Sequence, residues 1–236
     1  IADQIGEARE KMMFRRLGFD RPVDIELHEK GRPLWPRYWG RTTTMTVGYG
    51  HGIAITPLHL ASAYAALVNG GIWHPATLLK RNDGEPVPGR RVVSPQTSAT
   101  IRQLLRLVVL DGTGRRADVP GYRIGGKTGT AEKAEAGGYA HHSLVTTFAG
   151  VFPMDNPRYV VIAMLDEPKG TSDTYGLATA AWNAAPVVSH VIARVGPMIG
   201  VVPDMHKDID VSNLTPLLWK APGTKVAGAD PHAEAQ

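Results

Sequence analysis

Two apolar runs past the middle of the chain, residues 143–152 (SLVTTFAGVF) and 158–165 (RYVVIAML), limit the fold more than any other feature. Both are rich in β-branched and aromatic residues, which favour strands. Only Pro153-Met154-Asp155-Asn156-Pro157 separates them, a turn-forming stretch too short to hold a crossover helix. The pair is therefore predicted to be an antiparallel hairpin, which disfavours folds made of parallel βαβ units. A third strand is expected just before it, at 123–130 (RIGGKTGT), lying on an edge. Glycines at 125, 126 and 129 weaken a strand but let another backbone come close, so a peptide could add to this edge through main-chain hydrogen bonds.

Helical signals surround these strands. Thr56-Pro57 and Ser94-Pro95 each combine a capping hydroxyl with a proline at the first helical position. Apolar stripes follow both, with Asn69-Gly70-Gly71 stopping the first. Residues 177–196 read as a largely apolar helix. Residues 1–17 read as a helix with Ile1, Ile5, Ala8 and Met12 on one face, ended by Gly18. No capping residue precedes it, as expected of a sequence cut inside a larger domain. Residues 20–46, with Pro22, Pro33 and Pro36, read as an irregular connection, and 111–121 as loop. Residues 76–93 are expected to hold two short strand-like runs around Asn82-Asp83-Gly84. The predicted class is α+β, an antiparallel sheet covered by helices, with residues 1–202 forming one domain portion and residues 203–236 a flexible polar tail.

Composition narrows the function classes. With 236 residues, 43% hydrophobic and 20% charged, the chain can bury a proper core. No apolar run approaches the roughly 18 residues of a membrane span. The net charge is +4, but Arg15-Arg16, Arg90-Arg91 and Arg115-Arg116 are far apart and near acids, so no nucleic-acid partner is indicated. The absence of cysteine excludes disulfides, thiolate catalysis and zinc–thiolate sites.

The stretch 121–130 (GYRIGGKTGT) fits two chemistries. Its first eight residues match the phosphate-cradling pattern G-x-x-x-x-G-K-[ST], and the strand ending in Asp166-Glu167 could supply a magnesium-binding acid. That reading needs a buried strand before the loop and a helix starting at Lys127-Thr128. Here a charged segment ending Val119-Pro120 precedes, and Gly129 follows. As an edge strand, the same residues place a cation at Lys127 beside two hydroxyls, Thr128 and Thr130, on one face, suited to a carboxylate. The amide of Thr130 could polarise a carbonyl becoming an oxyanion.

Longer matches favour the second chemistry. The stretches Val47-Gly48-Tyr49-Gly50-His51-Gly52-Ile53-Ala54-Ile55-Thr56-Pro57-Leu58, Gly112-Thr113-Gly114, Gly126–Glu132, Phe148-Ala149-Gly150, Asp166-Glu167-Pro168, Tyr175-Gly176 and Ala185-Pro186-Val187 together resemble the transpeptidase domain of class B penicillin-binding proteins, in particular the division-specific, FtsI-like proteobacterial group. The resemblance implies the penicillin-binding, serine β-lactamase-like fold, incomplete at its N-terminus. It implies a peptidoglycan D,D-transpeptidase working in septal synthesis on stem peptides ending in D-Ala-D-Ala. No cofactor or metal is implied. Lys127 would contribute charge, Lys127, Thr128, Gly129 and Thr130 would line the substrate, and the Thr130 N–H would form half of an oxyanion hole. The family also implies a periplasmic domain anchored to the inner membrane upstream, and division-complex membrane proteins as partners.

Two family motifs, Ser-x-x-Lys and Ser-x-Asn, have no match at Ser62, Ser94, Ser98, Ser143, Ser172, Ser189 or Ser212. The nucleophile is therefore expected outside these residues, and β-lactams to bind covalently only when it is present. A non-catalytic scaffold binding peptides or division proteins is the alternative. Of the remaining features, His141-His142 are expected in a loop before a strand rather than on a metal, Asp166-Glu167 in a solvated turn, and Trp35, Tyr38 and Trp39 in packing of the irregular segment. Asp111–Arg116 are placed at the cleft rim.

Overall fold

The computed structural model of the chain describes residues 1–82, 84–135 and 138–218. Helices α1 (Ala2–Ile5) and α2 (Glu7–Leu17) open the chain, followed by α3 (Arg41–Val47) and α4 (Pro57–Val68). A two-residue ribbon, β1 (Ile72–Trp73) against β2 (Arg90–Arg91), leads to α5 (Pro95–Asp111). The sheet then forms from β3 (Gly125–Glu135), β4 (Gly138–Phe152) and β5 (Tyr159–Asp166), and α6 (Ala184–Met198) closes the fold.

The sheet is antiparallel with spatial order β3-β4-β5. Successive side chains of β4 leave on opposite faces. Phe148 and Phe152 join Ile124, Ala184, Ala185, Val188 and Ile192 under α6. Val151 joins Val68, Leu105 and Met154 beneath α4 and α5 on the other face. A third cluster, with Leu17, Phe19, Ala63, Ala66 and Trp73, fastens α2 to α4. The helix starts agree with their local signals. Thr56 Oγ1 accepts from the His59 amide while His59 reaches back to the Thr56 amide, and Ser94 accepts from the Thr97 amide.

Several expectations meet corrections. The helix over 1–17 is broken at Gly6, whose φ of 78° leaves the helical region. Its buried side carries Met13, Phe14 and Leu17, whereas Ile1, Ile5 and Met12 are 94%, 46% and 46% exposed. The irregular connection contains α3, despite its β-branched sequence RTTTMTV, because Thr44 and Val47 are buried and the Trp39 indole N–H donates to Thr44 Oγ1 at 3.0 Å. Trp35 and Trp39 pack on each other at 5.0 Å and against Phe14, while Tyr38 is 83% exposed. The strand pair around 76–93 is β1 with β2, so its first member lies earlier than expected, and Asp83 lies outside the described residues. The last helix starts at Ala184 rather than near 177. His141 and His142 sit within β4 rather than in a loop before it.

Residues 203–218 make definite contacts with the domain. Arg106 on α5, its side chain only 6% exposed, donates to both Asp208 oxygens, to Asp118 at 2.9 Å and to the Ile124 carbonyl at 2.9 Å. Burial opposes that charge, but the Asp208 and Asp118 carboxylates outweigh it and hold the guanidinium pKa above its ordinary value. Ile209 packs on the α4–α5 cluster, and Gln103 donates to the Asp210 carbonyl. Residues 219–236 lie outside the described residues. No helix among the described residues is long and apolar enough to cross a membrane.

Candidate active-site wall

β3 pairs with β4 alone among the described residues, so its other edge is unpaired. The register sets Lys127 against Ala149, Thr128 against Phe148, Gly129 against Thr147 and Thr130 against Thr146. Thr128 and Thr130 thus point to the α6 face, and Lys127 and Gly129 to the α4 face. Lys127, Thr128, Gly129 and Thr130, predicted as site residues, lie side by side on this strand; a phosphate-cradling loop running into a helix is ruled out, since Gly125–Glu135 is strand.

The two preceding glycines have internal reasons. A Cβ on Gly125 would collide with Met154 and with the α5 backbone at Arg106, and one on Gly126 with the Phe148 ring and the Ala149 carbonyl. Gly129 differs. Its nearest neighbour would be the Thr147 carbonyl oxygen at 3.8 Å, so nothing in the fold demands a glycine there. The strand is bare at that point toward whatever approaches from outside.

Each hydroxyl is held by a separate loop. Thr128 Oγ1 lies 2.8 Å from Thr113 Oγ1, in the turn after α5, and 3.2 Å from the Lys127 ammonium, which also donates to the Thr128 carbonyl at 2.9 Å. Thr130 Oγ1 accepts the Ala180 amide at 3.1 Å, just before α6. Ala180 is itself fully buried, which fixes that donor. With one lone pair engaged, the Thr130 hydroxyl keeps its proton to donate outward.

The same two loops meet in a contact the sequence did not disclose. The Arg116 guanidinium lies 3.6 Å from the Trp182 ring centroid, and Tyr175 meets the Trp182 edge at 5.4 Å and 84°. Arg116 belongs to the rim expected from 111–116; Trp182 and Tyr175 were not recognised as site residues. Tyr175 had a signal in the Tyr175-Gly176 stretch of the resemblance, and Trp182 only as an aromatic residue just before a helix start, which packing explains equally well.

Elsewhere, Asp166 and Glu167 each lie 3.0 Å from Lys133 Nζ, so they form ion pairs across the end of the sheet rather than a simply solvated turn. Those carboxylates raise the Lys133 pKa. No cluster of three or more potential metal ligands occurs among the described residues. On the α4 face, a groove of about 580 Å³ runs between residues 50–57 and the strands, lined by Ala131, Val145, Thr147, Ile162 and Met164.

Known proteins resemble this chain over most of its length. The sequence profile of the penicillin binding protein transpeptidase domain matches residues 1–189. The chain is 43% identical over 210 residues to the probable peptidoglycan D,D-transpeptidase FtsI of Caulobacter vibrioides, covering 85% of this chain and 36% of that protein. It is 30% identical over 194 residues to Escherichia coli FtsI, covering 81% of this chain and 32% of that one. It therefore spans about a third of the length of these relatives. The transpeptidase domain of Burkholderia pseudomallei penicillin-binding protein 3 superposes with a TM-score of 0.77 at 34% identity, covering 86% of this chain and 62% of that one. Penicillin-binding protein 3 of Mycobacterium tuberculosis, solved with aztreonam, gives 0.74 at 31% identity, covering 86% and 49%. The antiparallel sheet with its helical layers is thus the transpeptidase fold, and the chain belongs to the penicillin-binding protein transpeptidase family.

Proposed function

We propose that residues 1–218 form the Lys-Thr-Gly side of a peptidoglycan D,D-transpeptidase of septal synthesis, with the nucleophilic serine supplied from outside these 236 residues. The observation that carries this reading is the Thr130 hydroxyl, oriented by the Ala180 amide beside Thr128 and the Lys127 ammonium on a strand edge left unpaired among the described residues.

A stem peptide ending in D-Ala-D-Ala lies extended along β3. Thr128 and Thr130 donate to its terminal carboxylate, Lys127 contributes positive charge, and bare Gly129 admits the substrate backbone. In an antiparallel ladder a residue directs its N–H and C=O to the same side, alternating along the strand. The Lys127 ammonium caps the Thr128 carbonyl, which fits an outward parity for Thr128 and Thr130 and an exposed Thr130 N–H. That N–H stabilises the oxyanion formed when the serine oxygen adds to the penultimate D-Ala carbonyl. Collapse of the adduct breaks the amide bond, D-Ala leaves with a proton, and an amine of a neighbouring stem takes the acyl group. β-Lactams follow the first step only. Lys127 and Gly129 share their face with Ala131 at the wall of the groove, so a segment seated there would confront Lys127. In this reading the domain is periplasmic, held at the inner membrane by a segment beyond these residues, and its partners are division-complex membrane proteins.

The absence of Ser-x-x-Lys and Ser-x-Asn at every serine favours a second reading, a non-catalytic peptide-binding scaffold. Both share the carboxylate wall, which is tested directly by titrating the chain with diacetyl-Lys-D-Ala-D-Ala and with its C-terminal amide. The acid is expected to shift the backbone resonances of 127–130 and the amide not to. Thr130→Val should weaken the acid about tenfold, as for a lost hydrogen bond to a charged group. Equal shifts with both peptides would refute the carboxylate assignment.

A further inference from the structure

A cavity of about 350 Å³ lies between the end of α2, residues 21–24, α4 and the β1–β2 ribbon. It shares no lining residue with the groove beside β3. Ligand pockets run from roughly 300 to 1,000 Å³, so this one is sized for a small molecule. One side is apolar, formed by Leu17, Pro22, Val23 and the Trp73 indole. On the other, Arg21, Lys30 and Arg90 face the single lining acid, Asp24. Arg21 already pairs with Asp20 at 3.1 Å, and Lys30 donates to the Ile25 carbonyl at 3.1 Å, which leaves Arg90 as the open cation.

Two donors at this cavity lack acceptors. The Trp73 indole N–H is buried and has no hydrogen-bond partner among the described residues. Such an orphan is rare in a folded protein, because burial strips its water without supplying a replacement. Gly18, also on the lining, places no side chain over it; a Cβ there would stand 3.7 Å from the indole nitrogen. The second donor is Arg90. Its guanidinium lies 3.8 Å from the Trp73 ring centroid and donates from Nε and Nη2 to the Arg16 carbonyl. Its Nη1–Nη2 edge has no acceptor or ion pair among the described residues. Partial burial, and then the neighbouring Arg21, lower the Arg90 pKa, and Asp20 and Asp24 offset only part of this. His59 lines the cavity too, but Thr56 and the Arg21 carbonyl engage both its ring nitrogens, so it serves the fold.

We propose that this cavity binds a small organic carboxylate with an apolar body, its head facing the open edge of Arg90 and the Trp73 N–H and its body seated on Leu17, Pro22 and Val23. The planar fork of a guanidinium matches the two oxygens of a carboxylate, and the indole N–H supplies a further donor. The site is independent of the Lys-Thr-Gly wall and does not rest on that reading. α4 contributes His59 and Ser62 to this cavity and Pro57 and Leu60 to the groove beside β3, so an occupant bears on a helix that also lines that groove.

The test is a titration of the 236-residue chain, and of a polypeptide extended upstream of Ile1, followed by calorimetry and by the Trp73 indole N–H resonance. The probes are 3-phenylpropionate, its neutral amide, and acetate. The acid should bind about tenfold more tightly than the amide, as for hydrogen bonds to a charged group, and about tenfold more tightly than acetate, which lacks the apolar body. It should move the resonances of Trp73 and residues 17–24 and leave those of 127–130 in place. Arg90→Gln should erase the preference for acid over amide and leave the amide within twofold of its original affinity. Arg90→Lys, with charge but no planar fork, should keep part of the preference. Trp73→Phe, which keeps a ring but removes the N–H, should weaken the acid about threefold; it carries the test by itself if Arg90→Gln does not fold. Arg91→Gln, at a cation that does not line the cavity, should change nothing. Equal affinities for acid and amide, a preference that survives Arg90→Gln or vanishes in Arg91→Gln, an unweakened Trp73→Phe, or shifts confined to 127–130 would each overturn the proposal. So would loss of binding in the longer polypeptide, which would mean that the chain itself fills the cavity.

Discussion

At the scale of single residues, the chain separates groups that hold the fold from groups that face outward. Arg106 belongs to the first kind. A guanidinium so enclosed is tolerable only because two carboxylates and a carbonyl surround it. Replacing Asp208 by Ala leaves it partly uncompensated and is expected to cost about 3 kcal/mol, measured as a lowered urea midpoint with unchanged slope. An unchanged midpoint would mean that residues 203–218 do not take part in the domain's stability. This partnership was invisible in the sequence because Asp208 lies among Pro203, Asp204 and Asp210, a composition that reads as solvated tail. Its partner is 102 positions away. The order of Lys127, Thr128 and Thr130 on one strand was legible because strand alternation sets it. The groups that orient them, Thr113 and Ala180, were not, since no local rule links a turn after one helix to a strand hydroxyl.

At the scale of elements, local signals were read well wherever they were self-contained. The hairpin of β4 and β5 follows from two β-rich runs and a five-residue turn, and α4 and α5 start where hydroxyl and proline coincide. Removing the α4 cap with Thr56→Ala should cost about 1 kcal/mol by thermal or urea unfolding. Elements that depend on distant packing were missed: α3 is poor in helix propensity and is held by Trp39, and the α1–α2 break needs only Gly6. α4 also carries a pH-dependent contribution. Burial of Tyr64 against the α4–α5 cluster pushes its phenol up to about 12 from an ordinary 10. The unfolded chain releases that proton first, so between pH 10 and 12 the folded state binds more protons and stability falls as pH rises. The loss reaches about 2 to 3 kcal/mol across that window and levels off above it. Urea unfolding at pH 9 and pH 11.5 should show a smaller drop for Tyr64→Phe than for the unsubstituted chain; identical drops would contradict the burial assigned to Tyr64. In β3, Gly126→Ala should destabilise by about 1 to 3 kcal/mol, since Phe148 and the β4 backbone leave no room for a methyl group.

At the scale of the molecule, the sheet serves as a rigid frame for one exposed strand edge. α6 packs on one face and α4 and α5 on the other, so the 125–135 strand is supported from both sides while its outer edge has no partner strand among the described residues. The fold class was legible because antiparallel order follows from short connections. That none of the chain's serines fits Ser-x-x-Lys is a statement about sequence alone and needs no structure. The arginine–aromatic element between the two flanking loops was not legible, since Arg116 and Trp182 are brought together only by the packing of α6 against the 115–117 turn.

The central claim is that this chain carries the lysine–threonine wall of a serine transpeptidase whose nucleophile lies elsewhere. Labelling with a fluorescent penicillin tests it most directly, on the 236-residue chain and on a longer polypeptide extended upstream of Ile1, each with Lys127 intact and as Lys127→Ala. Covalent label is expected on the longer polypeptide alone, with the rate reduced at least a hundredfold by Lys127→Ala, within the range seen when a charge-stabilising group is removed from an acyl-transfer site. Label on the 236-residue chain by itself, or a longer polypeptide acylated equally fast without Lys127, would contradict it.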